Sequence, residues 1–188
     1  MKHTTEIART STDPNVLREI LLNNKDNNVS MYAANNPNCP SDALEFVLKQ
    51  NRDDSVSCYA ACNPNCSSEV LEFILSLNKD NTVSYWAAKN PNCPSSALEF
   101  VLRQNKNNKV SRSAANNPNC PSDALEFVLK QNKDDIVSYN SSRNPNCPPK
   151  ALLDWMRNTG RIDKFDPSKH RNDYKPDKDL EILKKMII

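Results

Sequence analysis

Cys58, Cys62 and Cys66 are spaced i, i+4, i+8, and the first two share a face if this stretch is helical, an arrangement suited to soft metal ions. A Cys-x₃-Cys pair alone cannot complete a tetrahedral site, and no histidine lies near it. Cys66 also has four counterparts in equivalent positions, Cys39, Cys93, Cys120 and Cys147, which marks it as a structural thiol. No metal and no other cofactor is expected. General acid–base chemistry finds little support either, since the two histidines, His3 and His170, lie in the end segments. Glu45, Glu72, Glu99 and Glu126 form a carboxylate row, but one spaced by whole repeats and accompanied by Lys or Arg in most copies, as on a solvated helix face. The sequence therefore predicts no catalytic residue and no enzyme.

Residues suited to recognition are more prominent. Comparison of equivalent short segments gives three variable positions per copy: Met31, Tyr32, Asn35; Cys58, Tyr59, Cys62; Tyr85, Trp86, Lys89; Arg112, Ser113, Asn116; and Tyr139, Asn140, Arg143. Spaced i, i+1, i+4, they fall on the arc of a helix opposite Val29 and Ala33, so one exposed stripe is expected. Its composition, with Tyr, Trp, Arg, Lys, Asn and Ser and no carboxylate, matches residue types enriched at binding surfaces. Tyr32, Tyr59 and Trp86 sit nearest the core edge of the arc, where packing between neighbouring copies competes with partner contact.

The elements that must carry this stripe repeat every 27 residues, punctuated by Asn-Pro-Asn-Cys at 36–39, 63–66, 90–93, 117–120 and 144–147. A fixed period without insertion describes one supersecondary unit stacked on itself. In the copy starting at Val29, "VSMYAAN" is a short helix of about two turns that ends where Asn36 precedes a proline. "ALEFVLKQN" then places Leu44, Val47 and Leu48 on the buried stripe of a longer helix, with Glu45 and Lys49 opposite. The cap of this helix is Asn38 or Cys39, with Pro40 near its first position. The single glycine, Gly160, excludes glycine-rich phosphate loops, and strands are not expected.

The order of a Val-containing segment, Ala-Ala, Asn-Pro, then Cys-Pro and "ALEFVL" resembles the leucine-rich repeat variant family, over roughly residues 13 to 157. The resemblance implies an all-α, right-handed α-solenoid in which α- and 3₁₀-helices alternate. The family's repeat is roughly 24 residues, so the loops here are longer. Some members hold an iron–sulfur cluster on cysteines preceding the repeats; this chain has no cysteine before Cys39, and that cofactor does not carry over.

The expected organisation is an N-terminal cap and half repeat at 1–28, five tandem repeats at 29–157, and a connector with a capping helix at 158–188. A formal charge of +2 and the absence of a long apolar run or an apolar leader point to a soluble cytosolic protein with no membrane partner. A protein or extended peptide is the leading partner, bound along the stripe with the short helices on the inner radius. Single-stranded nucleic acid is the alternative, with Tyr and Trp stacking on bases and Lys89, Arg112 and Arg143 meeting phosphates. Self-association is a third route, and the sequence leaves the oligomeric state open.

Overall fold

Each Asn-Pro step stops one helix, and each proline after the cysteine starts the next. The computed structural model describes residues 3–23 and 27–161, and among these it contains twelve helices and no strand. Two short N-terminal helices, α1 (Thr5–Thr10) and α2 (Pro14–Leu22), precede five pairs. These are α3 (Asn28–Asn35) with α4 (Ser41–Lys49), α5 (Ser55–Cys62) with α6 (Ser68–Ser76), α7 (Thr82–Lys89) with α8 (Ser95–Arg103), α9 (Lys109–Asn116) with α10 (Ser122–Lys130), and α11 (Ile136–Arg143) with α12 (Pro149–Asn158). The capping helix expected near the C-terminus, with its connector, lies outside the described residues.

Packing follows the numbering. Odd helices stack on odd ones from α1 to α11, even helices on even ones from α2 to α12, and each even helix also lies against the odd helix that follows its loop. The core is the seam between the two rows. On the even side it receives an Ala-Leu-Val-Leu set such as Ala97, Leu98, Val101 and Leu102, and on the odd side the Val and paired Ala of α7, Val83, Ala87 and Ala88. Each fully buried Leu contributes roughly 1.5–3 kcal/mol relative to an exposed one. The small residues of the odd row permit close approach of helices only eight residues long.

Both rows are α-helical, in contrast to the alternation of α- and 3₁₀-helices implied by the resemblance. Tightening occurs at helix ends: at the close of α3, α5, α7, α9 and α11 the amide of the terminating Asn reaches back three residues, as from Asn36 to the Ala33 carbonyl at 3.2 Å, and the even helices show such bonds too, as from Gln50 to the Val47 carbonyl at 3.2 Å. A capped first turn sustains the α form: Asn27, Asp54, Asn81, Asn108 and Asp135 each accept the amide three residues on. The even helices start differently from either sequence alternative. Pro40, Pro94, Pro121 and Pro148 occupy the cap position of α4, α8, α10 and α12 without a side-chain bond, whereas α6 is capped by the Ser67 hydroxyl and α2 by the Asp13 carboxylate.

The repeats are bonded to one another through the first Asn of each Asn-Pro-Asn-Cys. Asn63, Asn90, Asn117 and Asn144 are buried, and each side-chain amide donates to two backbone carbonyls of the preceding repeat at 2.7–3.0 Å. The same side chain's oxygen accepts the amide two residues on, as Asn90 does from Asn92 at 2.8 Å, so no polar atom of the group is left over. The carbonyls it reaches belong to the end of the previous odd helix, where intrahelical partners run out. Asn36 makes the equivalent contacts to Ala8, Arg9 and Ser11, which ties α1 in as a partial copy. A second, more exposed ladder runs beside it, in which Asn92 and Asn119 donate to the backbone carbonyls of Cys66 and Cys93.

Even helices end on a third asparagine. Asn51, Asn78, Asn105 and Asn132 adopt φ of 53–55°, the left-handed conformation that usually calls for glycine, and Gly160 takes the same conformation after α12 at φ 67°.

Asn90→Ala should lower stability by about 2–4 kcal/mol, because two carbonyls and one amide lose their buried partner together. Asn107→Ala, in an exposed loop, should stay within about 0.5 kcal/mol in the same urea titration. At Asn105, substitution by Gly should be close to neutral, whereas Val should cost about 1–2 kcal/mol through the left-handed backbone.

Candidate functional site

The variable stripe lies on the odd row, whose helices are held on one side by the core and on two sides by their neighbours in the row. The third position of each set is exposed in every copy: Asn35, Cys62, Lys89, Asn116 and Arg143. Arg112, at the first position of its copy, is exposed as well, while Met31, Cys58, Tyr85 and Tyr139 are half-buried. At the middle position, Tyr32 and Tyr59 keep 36% and 38% of their surface exposed. Trp86 is half-buried and packs on the core, and Asn140 is half-buried with its amide turned to the Arg112 carbonyl.

Ser113 departs from the expected exposed arc. It is 7% exposed, because its side chain is too short to leave the groove from which Tyr59 and Trp86 project in other copies. The stripe therefore lacks its middle member in the fourth copy, where Arg112 and Asn116 remain exposed.

Two cations of the stripe are fixed by aromatic rings one helical turn before them. The Lys89 ammonium stands 4.9 Å from the Trp86 ring centroid and 5.9 Å from that of Tyr85, and these two rings meet edge to face at 5.1 Å. Arg143 donates to the Tyr139 hydroxyl at 2.7 Å, with its guanidinium carbon 5.5 Å from the ring centroid. None of Lys89, Arg112 and Arg143 makes an ion pair among the described residues. A fourth cation, Lys109, is exposed at the start of α9 and reaches the Thr82 hydroxyl at 3.5 Å. Copy-by-copy comparison of three positions misses it; a charge tally over the whole short helix finds it.

The even row is organised differently. Arg103 pairs with Glu99 at 2.7 Å and Lys130 with Glu126 at 2.7 Å, each one turn apart, and Lys49 pairs with Glu45 in the same way. Glu72, whose copy has Ser76 in place of the cation, accepts from Ser96 at 2.8 Å. The carboxylate row is thus partnered along its own surface. Phe73 and Phe100 add half-exposed rings to this face, a feature that helical periodicity conceals by grouping them with the flank of the apolar stripe.

Among the described residues no cluster of three His, Cys, Asp or Glu side chains is arranged to hold a metal ion. The repeated thiols Cys39, Cys66, Cys93, Cys120 and Cys147 are buried, and Cys58 is half-buried beside the exposed Cys62. Burial pushes Cys39, Cys66, Cys93 and Cys120 up to about 12, aided in the last three by the Glu of the preceding repeat, such as Glu72 beside Cys93. Burial, with Asp53 and Asp54 nearby, pushes Cys58 up to about 11. Such thiols are poor nucleophiles at neutral pH and act as small apolar side chains. In comparison with known proteins, no family model, curated protein or solved structure matches this chain. No helix among the described residues is long and apolar enough to cross a membrane.

The ladder thiols stay protonated in the fold up to about pH 12 and ionise from about 9 once released, so folded stability should fall as pH rises through that window. Replacing Cys66 and Cys93 with alanine should lower the melting temperature at pH 7 but flatten its decline between about pH 9 and 11, read by circular dichroism.

Proposed function

We propose that this chain is a non-enzymatic binding module, a right-handed α-solenoid of five 27-residue repeats of the leucine-rich repeat variant kind, which holds a protein or extended peptide along its odd row. The observation that carries the reading is the contrast between rows. On the even helices α4, α6, α8 and α10 the outward Glu recurs in every copy and pairs with a cation of its own helix in three of them, whereas the odd helices differ more between copies and leave exposed cations without ionic partners among the described residues. Exposed aromatics at Tyr32 and Tyr59 add the large, rigid contact area that anchors partners. Recognition of this sort needs no chemistry, only a scaffold stiff enough to hold five short helices in register.

A peptide fits better than single-stranded nucleic acid. Stacking on bases needs free ring faces, and Lys89 already covers Tyr85 and Trp86 while Arg143 covers Tyr139. Few cations are available to follow a phosphate backbone, with none in the stripe of the first two copies. The short helices are placed on the inner radius of the superhelix in this reading, since small residues allow their closer packing.

Random twelve-nucleotide RNA and DNA should show no micromolar binding at about 0.15 M salt by fluorescence anisotropy. Selection from a random peptide library should yield binders whose affinity drops about tenfold or more in Tyr32→Glu/Tyr59→Glu, a variant that keeps its helical circular dichroism. Tight, steeply salt-dependent nucleic-acid binding would reverse the assignment.

A further inference from the structure

The near-zero formal charge of the chain hides a segregation between its two faces. The odd helices α3, α5, α7, α9 and α11 contain four cations and no carboxylate, whereas of the even helices α12 has one carboxylate and two cations, and α4, α6, α8 and α10 together contain seven carboxylates and three cations. All three cations of α4, α8 and α10 are paired with a Glu in the same helix, and none of the four on the odd row makes an ion pair among the described residues. Carboxylates also lie at the ends of the odd row: Asp54 and Asp135 accept helix amides at 2.8 and 2.9 Å at the N-terminal ends of α5 and α11, and Asp53 accepts the Thr82 and Val83 amides at 3.2 and 3.3 Å at the start of α7.

The four odd-row cations also belong to one half of the row, α7 to α11. Lys89 and Arg143 occupy the same position two repeats apart, each held against an aromatic residue four positions before it, and Arg112 projects from the helix between them. A long cation ordinarily loses side-chain freedom when it meets an anion, and a ring that already restricts it lowers that cost. The two ends of the constellation are thus pre-positioned. The half formed by α3 and α5 carries Tyr32 and Tyr59 instead, with no charge in its stripe.

We infer that the partner is an acidic peptide segment whose carboxylates lie over Lys89, Arg112 and Arg143, while an apolar or aromatic portion of the same segment lies over Tyr32 and Tyr59. This inference rests on the peptide-binding reading above and adds the chemistry and the orientation of the ligand. Neighbouring helices in a row are about 9–10 Å apart, so Lys89 and Arg143 are separated by about 18–20 Å. An extended peptide advances about 3.4 Å per residue, so about five to six residues cover that distance. Acidic residues about that far apart, with a third near the middle of the span, match the three cations.

The experiment is selection of a random twelve-residue phage-displayed library against the full chain, followed by fluorescence anisotropy of the enriched peptides at about 0.05 and 0.3 M salt. The expected result is enrichment of net-negative peptides with acidic residues about five to six positions apart. Their affinity should fall about tenfold or more in Lys89→Glu/Arg143→Glu, and by less in the neutral pair Lys89→Gln/Arg143→Gln. Helical circular dichroism separates loss of binding from loss of fold, and a pair that fails to fold is replaced by Arg112→Glu, whose side chain is exposed and rests on no aromatic ring among the described residues. Peptides that bind the odd row through Tyr32 and Tyr59 without acidic enrichment overturn the inference and leave the peptide-binding reading intact. Absence of any enriched peptide, or binding indifferent to substitution on the odd row, overturns both. Twelve-nucleotide single-stranded RNA competing with the peptides at equal or higher affinity assigns the cations to phosphate and likewise overturns it.

Discussion

One buried carboxamide per repeat holds this molecule in register. The side chain of the first Asn in each Asn-Pro-Asn-Cys ends a short helix, satisfies the frayed carbonyls of the helix before it, and orders its own turn through the amide two residues on. Asparagine is suited to this because it offers donor and acceptor from one short planar group, and an aspartate would bring a charge with no proton to donate. Hydrophobic burial supplies most of the free energy of such a stack, but it is tolerant of sliding. The bidentate contact to a particular pair of carbonyls is not, and the proline that follows fixes the direction in which the chain leaves.

How far the sequence exposes this can be judged from particular residues. The helix pairs, their lengths and the buried Leu-Val-Leu stripe follow directly from the period, because the apolar spacing and the Asn-Pro stops repeat without slippage. The cap of the longer helix is harder to read: Pro40 takes it, leaving Asn38 to serve the neighbouring repeat, a choice governed by contacts some 27 residues away. Ser113 escapes the helical-wheel argument because position on a helix gives a direction and not a length, and a serine at that angle stays in the groove. The ring-held cations are invisible for a related reason. Tyr85 and Lys89 are four apart in the sequence, yet nothing in that spacing tells whether the ammonium lies over the ring or extends into solvent.

Residues 35–51 and 116–132 are identical, and these two 17-residue copies separate what a repeated sequence transfers from what it does not. Both copies form the same helix, with the same Glu-to-Lys pair and the same glutamine bonding back to the phenylalanine carbonyl. Asp42, however, receives a two-pronged bond from Arg18 of the N-terminal helices, which lowers its pKa through that hydrogen bond, while Asp123 lies beside Ser122. Local conformation is thus copied with the residues, and electrostatic environment depends on the neighbour.

The asparagine bridges also bear on how such a chain can change. Each joins a repeat only to the one before it, so an in-frame excision or duplication of one whole unit would bring every remaining side chain to a carbonyl of the same kind. Length can then vary by cassette, without redesign of any contact, while an insertion of any other size would leave two buried carbonyls facing the wrong group. A gene built in this way can lengthen or shorten its recognition surface in discrete steps and alter what each step presents, independently of what holds the steps together.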